Sequence, residues 1–149
     1  MKVVGTGNPA MLTLRLRERE VAGLKEELGH QAAVADDAER ERPDEPMAAT
    51  GRRPGEILPA VLKLLDELAT TAEPNEQGRV VVVGPTWLLG PAIRGATTEA
   101  AEQLVSVLRR FPSAEASTAE ELRDAVSAAS AWSETLIGYE HVQNYGLTS

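Results

Sequence analysis

The sequence has no cysteine and few aromatic side chains. The absence of cysteine excludes disulfide bonds, thiolate metal sites and thiol nucleophiles. Aromatic residues make up only 3% of the 149 residues, so the core must consist of leucine, valine and alanine. The two histidines are His30 and His141. Neither lies at a ligand-like spacing from a carboxylate or from the other, so no metal site is predicted.

Long apolar runs are missing as well. No stretch approaches the roughly 18 to 20 apolar residues that cross a membrane. The first residues, Met1 to Gly7, are too short and too interrupted by glycine for a signal peptide. We therefore expect a cytoplasmic protein that has no membrane partner.

Basic residues are in short supply and unevenly placed. There are 15 lysine and arginine residues against 23 aspartate and glutamate residues, a net charge of -8. Residues 1–55 hold 9 basic and 10 acidic residues, which leaves 6 and 13 for residues 56–149. The acidic C-terminal part would repel a phosphate backbone, so nucleic-acid binding is not expected. Arginine strongly outnumbers lysine, which is typical of proteins from GC-rich bacteria or their viruses.

The clearest local signal is the run of four valines from Val80 to Val83. β-branched side chains favour strands. A run that does not alternate with polar residues predicts a strand covered on both faces, here from Arg79 to Val83. Gly84 and Pro85 then end the strand, because proline has no N–H for the ladder.

Two further strands are predicted near the N-terminus. Lys2 to Val4 is a short candidate strand, and a dense turn signal, Gly5-Thr6-Gly7-Asn8-Pro9, follows it. Leu12 to Arg17 alternates leucine with polar residues, which is typical of a half-buried strand. Residues 2–17 are therefore predicted to form a hairpin, with a helix that starts near Ala10 as the alternative.

Four helices are predicted from apolar residues at spacings of three and four. The first, over residues 18–42, has an apolar stripe compatible with a short coiled coil. The others span residues 56–70, 98–111 and 118–137, with Gly138 as the last C-cap. Leu65 is predicted to be among the most sensitive core positions. The third helix is predicted to bury one face, made of Ala101, Leu104, Val105, Leu108 and Phe111.

These elements predict an α+β fold, in which a small sheet packs against three amphipathic helices and a helical N-terminal arm extends from them. The expected organisation is a hairpin and helical arm over residues 1–42 and a linker over residues 43–55. A core over residues 56–138 and a tail over residues 139–149 follow. The tail could form a last strand, an arm or a disordered end.

Two glycine-rich segments are candidates for ligand binding. Gly5-Thr6-Gly7-Asn8-Pro9 resembles the opening of peptidyl-tRNA hydrolases and hydrogenase-maturation proteases, in which a strand runs into Gly-x-Gly-Asn-Pro. The histidine and the acid that this resemblance would require do not follow it, so no activity is carried over. The second segment, Gly84 to Pro91, lies where a parallel sheet would bind a ligand, but it lacks the Lys-Ser/Thr of a P-loop.

Residues 58–89 carry one further resemblance. A leucine-rich helix, a short polar turn with a Gly-Arg, and a valine strand that ends before a proline and more leucines are similar to a local segment of tailed-phage capsid proteins. The resemblance implies a virion structural component, capsid or connector-like, as an alternative function.

No residue is predicted to be catalytic, to ligate a metal or to hold a cofactor. The leading interpretation is a non-enzymatic structural or protein-interaction module that binds a protein partner or a second copy of itself. A small nucleotide- or ligand-binding domain that uses Gly84 to Pro91 is a further alternative, and an enzyme is a third class. The predicted interaction residues are Trp87, Leu88 and Leu89 after the valine strand, and Val21, Leu24 and Leu28 on the arm.

Overall fold

The computed structural model describes residues 2–3, 10–71, 73–110, 116–145 and 147–148. Within them it has four helices, α1 (Glu18–Glu41), α2 (Pro54–Thr71), α3 (Thr86–Arg110) and α4 (Ala116–Tyr145). It also has four strands, β1 (Lys2–Val3), β2 (Met11–Arg17), β3 (Arg79–Pro85) and β4 (Leu147–Thr148). The predicted α+β fold, with a small sheet and helices, is confirmed.

The strand predicted at Leu12 to Arg17 is confirmed as β2, but the predicted hairpin of residues 2–17 is wrong. β2 pairs antiparallel with β3, and β1 pairs antiparallel with β4. Alternation identified β2 as a half-buried strand, yet alternation alone does not select the partner strand. Val4 and the turn predicted at residues 5–9 lie outside the described residues.

The prediction that the valine strand is covered on both faces is also wrong. Val80 and Val82 are buried, whereas Val81 is 52% exposed and Val83 is 47% exposed. The buried side of β3 adjoins the buried side of β2, where Leu12, Leu14 and Leu16 point inward. The helices therefore cover one face of the sheet, and the other face is open.

α1 and α2 form much of the core beneath the sheet. The helix predicted over residues 18–42 is present as α1, and Val21, Leu24, Leu28 and Ala35 are buried on it. α1 packs along α2, whose fully apolar face includes Leu64. Leu65, predicted to be among the most sensitive positions, is only partly buried, whereas Leu64 and Leu68 are buried in the core.

α3 begins at Thr86, directly after β3, and not at residue 98 as predicted. Gly90 and Pro91, which suggested a loop, lie inside the helix. Tertiary packing overrides this local signal, because the segment carries a buried stripe at helical spacing. The buried residues of the stripe are Leu88, Leu89, Ala92, Ile93 and Ala96.

α4 likewise continues past its predicted end. Gly138 is not a C-cap, since the helix runs through it to Tyr145. Tyr139 and Val142 pack against the core beyond the glycine, which stabilises the last turns.

The face of α3 predicted to be buried is in fact largely exposed. Val105 and Leu108 are about half exposed, and Val107 is the buried residue of this turn. Helical spacing identified an amphipathic segment, but α4 packs against α3 on another side. Phe111, predicted on the same face, lies outside the described residues.

A buried carboxylate joins α4 to the start of α1. Glu20 is almost fully buried, and its Oε1 accepts a hydrogen bond from the Arg17 backbone N–H at 3.1 Å. The Thr135 hydroxyl donates to Glu20 Oε2 at 2.7 Å. These donors offset the desolvation of the carboxylate, so Glu20 serves as both a helix cap and a tertiary link.

We expect Thr135→Val to lower the free energy of unfolding by about 1 to 3 kcal/mol, because the buried carboxylate loses a donor. Urea denaturation measures the loss. Thr70→Val is the matched control, since the Thr70 hydroxyl donates only to backbone oxygens of its own helix, Asp66 O and Glu67 O. Equal losses in the two variants would contradict the role of Glu20.

Candidate functional site

The open face of the β2–β3 sheet is the first candidate site. The register places Met11, Thr13 and Arg15 opposite Pro85, Val83 and Val81. We call these six residues the sheet face. Met11 is 56% exposed, and with the two half-exposed valines it forms an apolar patch in solvent. Single exposed apolar side chains are normal, whereas a contiguous patch marks an interaction site.

The backbone N–H and C=O groups of the same residues also point away from the partner strand. The Thr86 N–H donates to the Ala10 carbonyl oxygen at 3.1 Å, and these two residues stand opposite each other. In an antiparallel ladder such hydrogen-bonded pairs alternate with pairs whose N–H and C=O groups face away from the partner strand. By this alternation, the backbone N–H and C=O groups that point away from the partner strand, towards the edges of the sheet, belong to the residues of the sheet face.

The two edges of this sheet have different surroundings. α4 lies beside the β2 edge, across a cleft of about 290 Å³ that Glu134 and Tyr139 help to line. In the described part of the chain no further strand joins β3. The β3 edge therefore presents the N–H and C=O groups of Val81 and Val83, and an edge of this kind is a template for another strand.

A second candidate site adjoins the end of the sheet face. It is a cleft of about 600 Å³ between the end of the sheet, the segment at residues 49–52, the first turns of α3, and α4. The Arg52 guanidinium lies 5.3 Å from the Trp87 ring centre, and the Arg94 guanidinium lies 5.6 Å from that of Tyr139. We call it the arginine cleft, defined by Arg52, Trp87, Arg94, Tyr139 and Gln143.

The predicted interaction residues are divided between the core and this cleft. Five of the six are buried in the core of the chain itself: Val21, Leu24, Leu28, Leu88 and Leu89. Trp87 is partly buried, lines the arginine cleft and lies beneath Arg52. Of the six predicted interaction residues, only Trp87 is therefore in a position to contact a ligand or partner.

Sequence reasoning missed most residues of both sites. The alternation from Met11 to Arg17 assigns Met11, Thr13 and Arg15 to one face of β2. The valine run of the neighbouring strand predicted coverage on both faces, so an exposed sheet face was not expected. Arg94 is far in sequence from Tyr139 and Gln143, which lie one helical turn apart on α4, and no motif links them. Only the packing of α3 against α4 brings them together.

The Gly84 to Pro91 segment is the end of a strand followed directly by a helix. A Cβ at Gly84 would lie 3.1 Å from a methyl carbon of Leu89, and a Cβ at Gly90 would overlap the Tyr139 ring. Both glycines thus serve close packing. The concave surface in this region is the adjacent arginine cleft, and the glycines themselves form no open loop.

Glu27 is the titratable group with the clearest shift. Burial raises the pKa of its carboxyl group, nearby His30 lowers it, and Glu99 and Glu26 raise it again. A raised carboxyl pKa also occurs in catalytic sites, but the Glu27 carboxylate lies beside Gly95 of α3, so packing between α1 and α3 accounts for its burial. Among the described residues, no cluster of histidine and carboxylate side chains fits a metal ion.

The chain is thus an α+β protein with an apolar sheet face and an arginine-lined cleft beside it. Comparisons with known protein families, curated proteins and solved structures gave no match. None of the helices, over the residues described, is both long and apolar enough to span a bilayer. The cytoplasmic location stays a prediction.

Proposed function

We propose that this chain is a non-enzymatic protein-interaction module that self-associates by pairing the β3 edges of two copies. The carrying observation is the sheet face, where exposed valines coincide with backbone groups that point away from β2. A hydrophobic edge strand of this kind pairs readily with another strand. Main-chain hydrogen bonds would provide the affinity, and the valines would provide the contact surface.

The spacing of the outward groups suits a two-fold axis that passes beside Val82. Val81 of each copy then faces Val83 of the other, and the N–H and C=O groups of each such pair form two hydrogen bonds. The four valines of the two copies share one face of a continuous four-stranded sheet. Cross-strand pairs of β-branched residues stabilise such a sheet.

Charge also favours this register, although two copies with a net charge of -8 repel each other at long range. Arg79 of one copy stands opposite Pro85 of the other, so the two Arg79 side chains do not face each other. Arg15 lies on β2, one strand away from the seam. No like charges therefore meet where the strands join.

Size-exclusion chromatography with light scattering tests the proposal. We expect a mass near twice the 15.9 kDa of one chain at high concentration, and a single-chain mass for Val81→Lys and Val83→Pro. The proline variant is specific, because it removes an N–H that faces away from β2 and leaves the β2–β3 ladder intact.

Ile137→Lys is the matched control, because Ile137 is 67% exposed and lies on α4, outside both candidate sites. It should associate as the unsubstituted chain does. A chain that stays monomeric at every concentration would contradict the proposal. So would a mass that Val81→Lys and Val83→Pro leave unchanged while circular dichroism shows that both are folded.

A further inference from the structure

We infer that the arginine cleft binds a small oxyanion, a carboxylate or phosphate group carried on a flat or apolar body. The cleft combines two guanidinium groups, two aromatic rings and an amide donor in one concave surface. Its volume of about 600 Å³ lies within the range of about 300 to 1,000 Å³ that is common for small-molecule sites.

The charge of the cleft is opposite to that of the chain. Acidic residues exceed basic residues 23 to 15 in the sequence, yet the lining of the cleft contains Arg52 and Arg94 and no carboxylate. Such a local reversal of charge attracts an anion and holds it in preference to a cation.

Neither arginine is neutralised by a strong ion pair within the described residues. Arg94 contacts the Tyr139 ring and pairs with no carboxylate there. Arg52 pairs with Glu56 at 3.8 Å, and both side chains are about half exposed. Exposed pairs of this kind contribute little, so both guanidinium groups keep donors for a ligand.

Aromatic contacts hold the two guanidinium groups in position. The Arg52 guanidinium lies over the Trp87 ring, and the Arg94 guanidinium lies over the Tyr139 ring. A guanidinium that lies over an aromatic face is restrained without using its N–H groups as hydrogen-bond donors, so these groups remain for a ligand. An oxyanion bound there would accept charge-assisted hydrogen bonds from donors that are already ordered.

The amide of Gln143 includes a donor that has no acceptor in the described structure. Gln143 lines the cleft, and its Nε2 is buried with no hydrogen-bond partner among the described residues. Buried donors in native proteins almost always have an acceptor; rotation of the Gln143 side chain would bring this donor to the cleft, where an oxygen of the bound anion would accept its hydrogen bond. The first turn of α3 also opens into the cleft and contains no acidic residue, so its positive end adds to the attraction.

NMR titration of the isotope-labelled full chain tests the inference. The probes are inorganic phosphate and benzoate, with sodium chloride at matched ionic strength. We expect saturable shifts of the Trp87 indole N–H and of the Arg94 side-chain N–H. The Trp132 indole is the internal reference, because Trp132 is buried against Gly23 of α1 and lines no part of the cleft. Saturation by phosphate alone or by benzoate alone identifies the anion.

Arg94→Gln and Arg52→Gln should each weaken binding about tenfold or more, because each removes charge-assisted hydrogen bonds. Arg109→Gln is the matched control, since it makes the same charge change on an exposed part of α3 and should leave affinity unchanged. The inference is overturned if neither probe saturates, if chloride gives the same shifts, or if Arg94→Gln and Arg109→Gln bind alike. The titration can be repeated with Val81→Lys, so its outcome does not depend on self-association.

Discussion

Replacement of Val82 with aspartate should abolish cooperative folding, whereas the same replacement at Val81 should leave the chain folded. Val82 is 3% exposed and its neighbour is 52% exposed, although the two residues are adjacent in one strand. An unpaired carboxylate at Val82 would be buried among leucine side chains at a cost of several kcal/mol. Domain stabilities are only about 5 to 15 kcal/mol, so most of the stability would be lost.

Thermal unfolding followed by circular dichroism gives the comparison, at a protein concentration low enough to keep both variants monomeric. Val83→Asp is a second control on the exposed side. The one-sided sheet would be contradicted by equal melting temperatures for Val81→Asp and Val82→Asp. It would also be contradicted if the exposed-side variants were the less stable ones.

Gly90→Ala should destabilise the chain through a clash between α3 and α4. The new Cβ would occupy space that the Tyr139 ring already fills, and overpacking of this kind costs about 1 to 3 kcal/mol. Gly138→Ala is the matched control on α4, where a Cβ meets no atom within 4 Å. That variant should gain about 0.5 to 1 kcal/mol, because alanine is the better helix former.

A double-mutant cycle attributes the Gly90 effect to Tyr139. Tyr139→Leu removes the ring and should restore much of the stability that Gly90→Ala loses, which gives a favourable coupling energy between the two sites. Urea denaturation supplies the four free energies. Additive losses would show that Gly90 is required for a reason other than contact with Tyr139.

The positions of the strands and helices were predicted correctly where one periodicity of apolar residues dominates the segment. The leucines of β2 alternate without interruption, and the apolar face of α2 repeats at helical spacing, so both elements form at the expected places. In both segments local pattern and tertiary packing agree. The first residue of α3 could not be predicted, because Gly90 and Pro91 carry a local loop signal that the burial of Leu88 and Leu89 overrides.

The candidate sites were less predictable than the fold, for a physical reason. A valine run looks the same whether one or both faces of a strand are covered, because β propensity alone can account for valine at an exposed position. The position of Arg94 over Tyr139 depends on the register between two long helices. No local pattern encodes that register.

Because no loop separates β3 from α3, the number of residues between the two elements is fixed. An α-helix advances about 100° per residue, so one residue inserted between Pro85 and Thr86 would rotate the buried stripe of α3 away from its partners. An insertion in the exposed turn at residues 73–78 would disturb no such stripe. Related chains are therefore expected to vary in length at that turn and to keep the spacing from Val80 to Arg94 constant.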